Sequence, residues 1–203
     1  MMMDSTSMTA IILAGGKSSR MGKDKALLKF GEKTILEHLI DLTNTLFSET
    51  LVIVNERTKL NDLDLGGTNA YEDLIKDQGP LGGIYTGLTY SRNLANFVFT
   101  CDMPFIDECI INKLVEFREL DFDVICFEEP EGNYEPFPGI YSRASRSLIK
   151  SLLDVEKNSM KRFFEIATVK PVLLEKEKIK VLTNMNYRED YDRALKEKEE
   201  WSV

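Results

Sequence analysis

The stretch TAIILAGGKSSRMGKDK, residues 9–25, determines how the rest of the chain is interpreted. Its first part, Thr9 to Ala14, is short, apolar and closed by glycines, which is the pattern of a buried strand. A loop rich in glycine, lysine and arginine follows directly, although the whole chain has a net charge of -8. Cations and glycines placed together after a buried strand predict a binding loop for an anion.

Two common phosphate-binding motifs do not fit this loop. A P-loop, G-x-x-x-x-G-K-[ST], would need glycine where the chain has Ile11, or in a second alignment where it has Lys17. The dinucleotide motif G-x-G-x-x-G fails because Gly15 and Gly16 are adjacent. The pattern that remains is L-A-G-G-x-x-x-R-M-G-x-D-K.

Each special residue of this pattern suits a phosphate ligand. Gly15 and Gly16 allow a sharp turn and a close backbone approach, and successive N–H groups form an anion-binding nest. Arg20 can fork onto phosphate oxygens, and Lys25 can place a point charge on a second phosphate, with Asp24 orienting one of these cations. The alternative is a flexible glycine turn with solvated lysines.

Outward from the loop, strands and helices alternate along the chain. We predict strands at 9–14, 51–54, 69–72, 96–100 and 123–127, with two further ones at 170–174 and 179–182, and helices at 34–47, 79–92, 107–120, 142–154, 159–167 and 188–200. Residues 128–138, which are acidic and contain prolines, are predicted as a loop. The alternation predicts an α/β fold: a mostly parallel central sheet with helices on both faces, in a Rossmann-like three-layer arrangement. We expect residues 1–8 to be a disordered tail and residues 9–203 to form a single domain.

Composition excludes several classes of function. The chain has 203 residues, 43% of them hydrophobic, with 34 acidic against 26 basic side chains. An acidic protein repels nucleic-acid backbones and anionic membrane surfaces, and no apolar run approaches the ~20 residues of a membrane span. The start, MMMDSTSM, lacks the features of a signal peptide. We therefore expect neither nucleic acid nor membrane as a partner. We also expect a monomer, and the reduced cysteines described next favour a location in the cytoplasm.

The cysteine and histidine content narrows the chemistry further. Cys101, Cys109 and Cys126 show no C-x-x-C spacing, so we expect reduced thiols in apolar surroundings rather than disulfides or a structural zinc site. The lone histidine, His38, lies in an apolar helical pattern. Catalysis by a Ser-His-Asp or Cys-His arrangement is therefore not expected.

A carboxylate follows another buried strand, in the sequence TCDMP at residues 100–104. An acid at the end of an apolar strand is costly unless something pairs with it. Mg²⁺ prefers one or two carboxylates together with phosphate oxygens of the substrate, so Asp102 is a candidate metal ligand. The alternative is that Asp102 caps the next helix or forms a turn before Pro104.

Four more places in the sequence carry polar or glycine-rich patterns that could contact a ligand: Asn55, Asp73, residues 79–83 and residues 184–186. Asn55 and Asp73 each follow a predicted strand, and in parallel sheets ligands bind beyond the carboxyl ends of the strands. The turn GPLGG at 79–83 would let a nucleotide pack against backbone, or is an ordinary surface turn. The segment NMN at 184–186 offers neutral oxygen ligands, or simply begins a turn before the last helix.

These motifs together resemble the molybdenum cofactor guanylyltransferases. The segments LAGGKSSRMGKDKALL, QGPLGG, TCDMPF, EPFPGIY and NMNYRED occur in the order in which that family has them, over nearly the whole chain. The loop alone is typical of the wider nucleotidyltransferase fold. The D-K after R-M-G and the T-C-D-M-P strand end are more specific.

The resemblance implies roles for individual residues. The guanine nucleotide would be bound by Leu13, Ala14, Gly15, Gly16, Lys25, Asn55, Asp73, Gly82 and Asp102. Asp102 would hold Mg²⁺, and Lys25, Arg20 and Asp102 would carry catalysis. Molybdopterin would be approached by Glu135, Pro136, Asn184 and Asn186.

The resemblance also implies a reaction, the transfer of GMP from GTP to the terminal phosphate of molybdopterin or its molybdenum-loaded form, with release of pyrophosphate. An ionised phosphate needs no strong general base, in agreement with the lone histidine. Transient contacts with proteins that deliver or accept the cofactor are expected. The open alternatives are transfer of CMP from CTP, a sugar-1-phosphate nucleotidyltransferase, and a nucleotide-binding carrier without catalysis.

Overall fold

The computed structural model describes residues 7–15, 25–117, 121–156, 158–173 and 189–193. The strands are β1 (Thr9–Leu13), β2 (Lys29–Phe30), β3 (Lys33–Thr34), β4 (Glu49–Val54), β5 (Asn69–Glu72), β6 (Ala95–Thr100), β7 (Val124–Glu128), β8 (Tyr134–Ser142) and β9 (Val169–Leu173). The α-helices are α1 (Ile35–Leu46), α2 (Gly79–Tyr90), α3 (Glu108–Val115), α4 (Arg146–Asp154) and α5 (Met160–Phe164), and residues 189–193 are also helical.

Seven of the strands form one sheet in the order β5-β4-β1-β6-β8-β7-β9. β5, β4, β1 and β6 run parallel, β8 is antiparallel to both of its neighbours, and β9 is parallel to β7. The chain leaves β1 toward β4 and β5 and then crosses back to β6 on the other side. β1 is therefore the point at which the strand order reverses, and open α/β sheets bind ligands at the carboxyl end of such a strand.

Helices cover both faces of the sheet, as the sequence predicts. Successive side chains of a strand point to opposite faces, and in β1 Ala10 and Ile12 belong to a core with α1 and α3, whereas Ile11 and Leu13 belong to a second core with α2, α4 and α5. The predicted mostly parallel three-layer arrangement is confirmed.

The prediction of a loop at 128–138 is wrong in its second half, because β8 begins at Tyr134. Pro136 and Pro138 argued against a strand, since proline donates no ladder hydrogen bond. The pairing of β8 with β7 shifts from Gly139 to Glu135, and both prolines lie in the irregularity between these positions. A proline is tolerated there because the strand pairing needs no backbone N–H donor at an irregularity.

Helix α1 begins as the sequence predicts. The Thr34 hydroxyl accepts a hydrogen bond from the Glu37 backbone N–H, and the Glu37 carboxylate accepts one from the Thr34 backbone N–H at 2.7 Å, which is a capping box. His38 lies on this helix with its Nε2 atom 2.6 Å from the Phe30 carbonyl oxygen, in a structural role. The preceding hairpin of β2 and β3 was not predicted, because its strands have two residues each.

Two expectations about burial need correction. Cys101 and Cys126 are buried, but Cys109 is exposed, because it lies on the solvent side of the first turn of α3 while Ile110 and Ile111 face the core. Met8, placed in the tail by the sequence, is fully buried in the core. In the part of the chain that the structure describes, no helix is long and apolar enough to cross a bilayer.

Several predictions fall wholly or partly outside the described residues. They concern the strand at 179–182, the ends of the helices at 107–120 and 188–200, and the site residues Gly16, Arg20, Asn184 and Asn186. The structure does describe α3, which ends at Val115, and the helical residues 189–193.

Candidate active site

A cleft of about 500 Å³ opens at the carboxyl ends of the parallel strands. Its lining comes from four strand ends, the start of α2, a short 3₁₀ helix at Lys25–Leu27 and the middle of β8: Leu13, Ala14, Gly15, Lys25, Ala26, Ile53, Asn55, Asp73, Asp77, Gly79, Pro80, Gly83, Thr100, Cys101, Asp102 and Phe137. The structure thus brings together seven residues that the sequence predicts for the nucleotide site, Leu13, Ala14, Gly15, Lys25, Asn55, Asp73 and Asp102.

The glycine turn after β1 begins with a close approach to Asn55. The Ala14 N–H donates to the Ile53 carbonyl at 2.8 Å, which fixes the end of β1 beside β4. A Cβ atom on Gly15 would lie 2.5 Å from the Asn55 Oδ1 atom and 3.2 Å from its backbone nitrogen. Only glycine fits at this position without displacing Asn55.

On the other side of β1, a cation meets a carboxylate. The Lys25 Nζ atom lies 3.5 Å from Asp102 Oδ2, and about a quarter of each side chain is exposed. The Thr100 hydroxyl donates to Asp102 Oδ1 at 2.6 Å. The alternative in which Asp102 caps α3 is wrong, since the Asp107 carboxylate accepts from the Ile110 N–H at the start of that helix.

Asp73 is a half-buried residue on the far wall of the cleft. Its N–H donates to the Val54 carbonyl at 3.0 Å, and burial raises the pKa of its side chain to about 6. Its Oδ1 atom is inaccessible to solvent and has no hydrogen-bond partner among the described residues. A buried acceptor without a donor is costly, which agrees with the raised pKa of this carboxyl group.

The start of α2 borders the cleft through Gly79, Pro80 and Gly83. Gly79 has φ of +59°, which an L-residue rarely adopts, and the positive end of the helix dipole faces this side. Gly83, rather than Gly82, is the glycine that lines the cleft next to Asp73: a Cβ atom on Gly82 would instead meet Gln78 and the Ile75 carbonyl.

The irregularity of β8 supplies the last part of the cleft wall. It places the buried ring of Phe137 in the lining, a residue that sequence reasoning missed although it lies in the segment EPFPGIY. Glu135 and Pro136 lie beside it and are half-buried. The pKa of Glu135 is raised to about 7, mainly by burial and in smaller part by the negative charges of Glu129 and Asp102.

The chain is similar to known proteins over most of its length. Residues 10–172 match the model of the MobA-like NTP transferase domain. A protein of Carboxydothermus hydrogenoformans named "Probable molybdenum cofactor guanylyltransferase" is 35% identical over 196 residues, which cover 93% of this chain and 95% of that protein.

Two crystal structures share the fold at low sequence identity. Molybdopterin-guanine dinucleotide biosynthesis protein A from Archaeoglobus fulgidus superimposes with a TM-score of 0.81 at 19% identity, covering 95% of this chain and 99% of that one. The manganese complex of Rv0371c from Mycobacterium tuberculosis gives a TM-score of 0.66 at 15% identity, covering 94% and 99%. The family match runs from the first strand of the sheet to its last and includes the cleft, and the chain therefore belongs to the MobA-like NTP transferase family.

Proposed function

We propose that the protein transfers GMP from GTP to the terminal phosphate of molybdopterin, or of its molybdenum-loaded form, and releases pyrophosphate. The observation that carries the proposal is the 3.5 Å contact between Lys25 and Asp102 in a cleft that also contains the glycine turn. This combination suits a triphosphate with a divalent cation. The names of relatives such as the Carboxydothermus hydrogenoformans protein support the choice of substrates.

The base would lie between the glycine turn, Asn55 and the start of α2. Guanine presents N1–H and N2–H₂ donors along one edge. The Asp73 carboxyl group, which lines this side of the cleft, is a candidate acceptor for that edge. Backbone carbonyls of 13–15 and 79–83 are further acceptors for the same edge.

The phosphates would lie toward Lys25 and Asp102. The acceptor's phosphate oxygen attacks the α-phosphorus of GTP, and the bond to the pyrophosphate oxygen breaks as the new bond forms. The ammonium group of Lys25 offsets charge on the phosphates, and Arg20 is proposed to do the same. Such transfers depend mainly on positioning and on fixed charges, so no side chain is required to act as a strong general base.

The cleft also fits a divalent cation, which we propose to be Mg²⁺. Asp102 offers a partly exposed carboxylate, the oxygen ligand that Mg²⁺ prefers, and the described residues contain no group of three or more metal-ligating side chains. The remaining ligands would then come from the substrate phosphates, water and, as proposed, Asn184 and Asn186. When bound, the ion would neutralise charge on the α-phosphate and on the leaving pyrophosphate.

Pyrophosphate release tests this proposal. The protein is incubated with Mg²⁺ and GTP, CTP or ATP, with and without molybdopterin, and the dinucleotide product is identified by mass spectrometry. We expect release with GTP only when molybdopterin is present. Equal use of CTP would refute guanine selectivity, release with a sugar 1-phosphate in place of molybdopterin would indicate the sugar enzyme, and tight GTP binding without any release would indicate a carrier.

A further inference from the structure

Thr100 is hydrogen-bonded to one oxygen of the Asp102 carboxylate. Its hydroxyl donates to Asp102 Oδ1 at 2.6 Å, a short distance typical of a hydrogen bond to a charged acceptor. Thr100 is the last residue of β6 and pairs with Leu13 of β1, so the core of the sheet fixes its backbone. A threonine side chain is stiff at χ1, and its hydroxyl therefore points in a defined direction.

The other oxygen of Asp102 has a partner of a different kind. Lys25 reaches Oδ2 through a flexible four-carbon chain, at 3.5 Å. A triphosphate entering the cleft attracts the same ammonium group, because its negative charge is larger than that of one carboxylate. Of the two contacts, the one with Thr100 is short, local and independent of the phosphates.

We propose that Thr100 is a positioning residue for the divalent cation: it fixes the plane of the Asp102 carboxylate so that Oδ2 faces the cation when Lys25 turns to the nucleotide. This inference rests on the proposed function for the presence of cation and nucleotide. Groups that hydrogen-bond to a metal ligand in this way typically change metal affinity about 10–100-fold when they are removed. The side chain of Thr100 itself does not need to touch the cation.

Thr100→Val tests the proposal, because valine keeps the shape and loses only the donor. The dissociation constant of Mn²⁺ is measured from the electron paramagnetic resonance signal of the unbound ion, in the presence of GTP and without molybdopterin. We expect Thr100→Val to weaken Mn²⁺ binding about 10–100-fold and Thr100→Ser, which retains the hydroxyl, to restore most of the affinity. Asp102→Ala gives the Mn²⁺ affinity that remains without the carboxylate. Thr45→Val, on the exposed side of α1, is the matched control.

If Thr100 had only a structural role, Thr100→Val would have a lower melting temperature, and excess metal would not restore its turnover. Positioning predicts an unchanged melting temperature and turnover that recovers at high Mn²⁺. Mn²⁺ affinity equal to that of the wild type in Thr100→Val would overturn the inference, and so would the lack of a GTP-dependent Mn²⁺ site in the wild type. Pyrophosphate release by the wild type reports separately on the proposed transfer.

Discussion

Lys25 and Asp102 are in contact in the cleft, with the Nζ atom 3.5 Å from Oδ2. They come from distant parts of the sequence: Lys25 begins a short 3₁₀ helix after the glycine loop, and Asp102 follows β6. The contact lies in the cleft with about a quarter of each side chain exposed, and an ion pair in such a position contributes only about 0–1 kcal/mol to stability. Its position therefore points to chemistry rather than to folding.

The first prediction concerns this pair. Lys25→Ala and Asp102→Ala should each reduce turnover about 10²–10³-fold, since each removes a fixed charge from the transfer step. The melting temperature should change little, because the pair is partly exposed. Lys33 and Asp41 form an exposed ion pair outside the cleft, and Lys33→Ala and Asp41→Ala are the matched controls. Turnover near the wild-type level in both cleft variants would refute the role of the pair.

The second prediction separates stability from binding at Asp73. Burial raises the pKa of its carboxyl group to about 6, so the charged form is disfavoured in the folded protein. Relative to the wild type, Asp73→Asn should become more stable as the pH rises through 6, because asparagine acquires no charge. The same variant should bind GTP more weakly, since it replaces one acceptor oxygen with a donor group.

Urea unfolding at pH 5 and pH 8 and calorimetric titration with GTP measure the two effects. Asp62→Asn, at an exposed loop position, is the control. A variant that loses both stability at pH 8 and GTP binding would contradict our account, because it would make Asp73 a structural group.

The third prediction concerns the contact between Gly15 and Asn55. Gly15→Ala should destabilise the protein, because its Cβ atom would lie 2.5 Å from Asn55 Oδ1. Removing that side chain with Asn55→Ala should recover part of the loss, and contacting residues typically show coupling energies of about 0.5–3 kcal/mol. Recovery should be incomplete, since the Asn55 backbone nitrogen would also be only 3.2 Å away.

A double-mutant cycle by urea unfolding measures this coupling. Effects that simply add would show that the two residues do not interact, and the close packing of the glycine turn against β4 would then be wrong.

The fourth prediction concerns pH and Glu135. Burial raises the pKa of this carboxyl group to about 7, above the ordinary value of 4.5, with Glu129 and Asp102 adding to the shift. A raised folded-state pKa gives a contribution that is fully present below the unfolded pKa and is lost as the pH rises through the folded pKa. The wild type should therefore lose stability relative to Glu135→Gln between about pH 4.5 and pH 7.

Chemical denaturation of both proteins across this range gives the difference directly. Glu131→Gln, at an exposed position of the same hairpin, should show no such trend. A stability difference between wild type and Glu135→Gln that stays constant with pH would contradict the burial of the Glu135 carboxylate as the cause.

The sequence by itself determined the local elements and the residue types at the strand ends. The apolar run of β1, the Thr34 cap of α1 and the alternation of strands and helices follow from short-range periodicity and turn chemistry. The sequence also predicted that Leu13, Asn55 and Asp102 lie at one edge of the sheet, because the carboxyl ends of parallel strands point the same way.

Only the tertiary structure decided which of these residues touch and which are buried. Three features depend on contacts between segments far apart in the chain: the distance between Lys25 and Asp102, the Asp73 oxygen that has no hydrogen-bond partner among the described residues, and the ring of Phe137 in the cleft wall. The antiparallel strand β8 escaped prediction because its prolines lie where the ladder is interrupted, and a sequence pattern does not show where a ladder needs no donor. Periodicity reports which side of an element is apolar, whereas distances and burial at a site depend on how the elements pack.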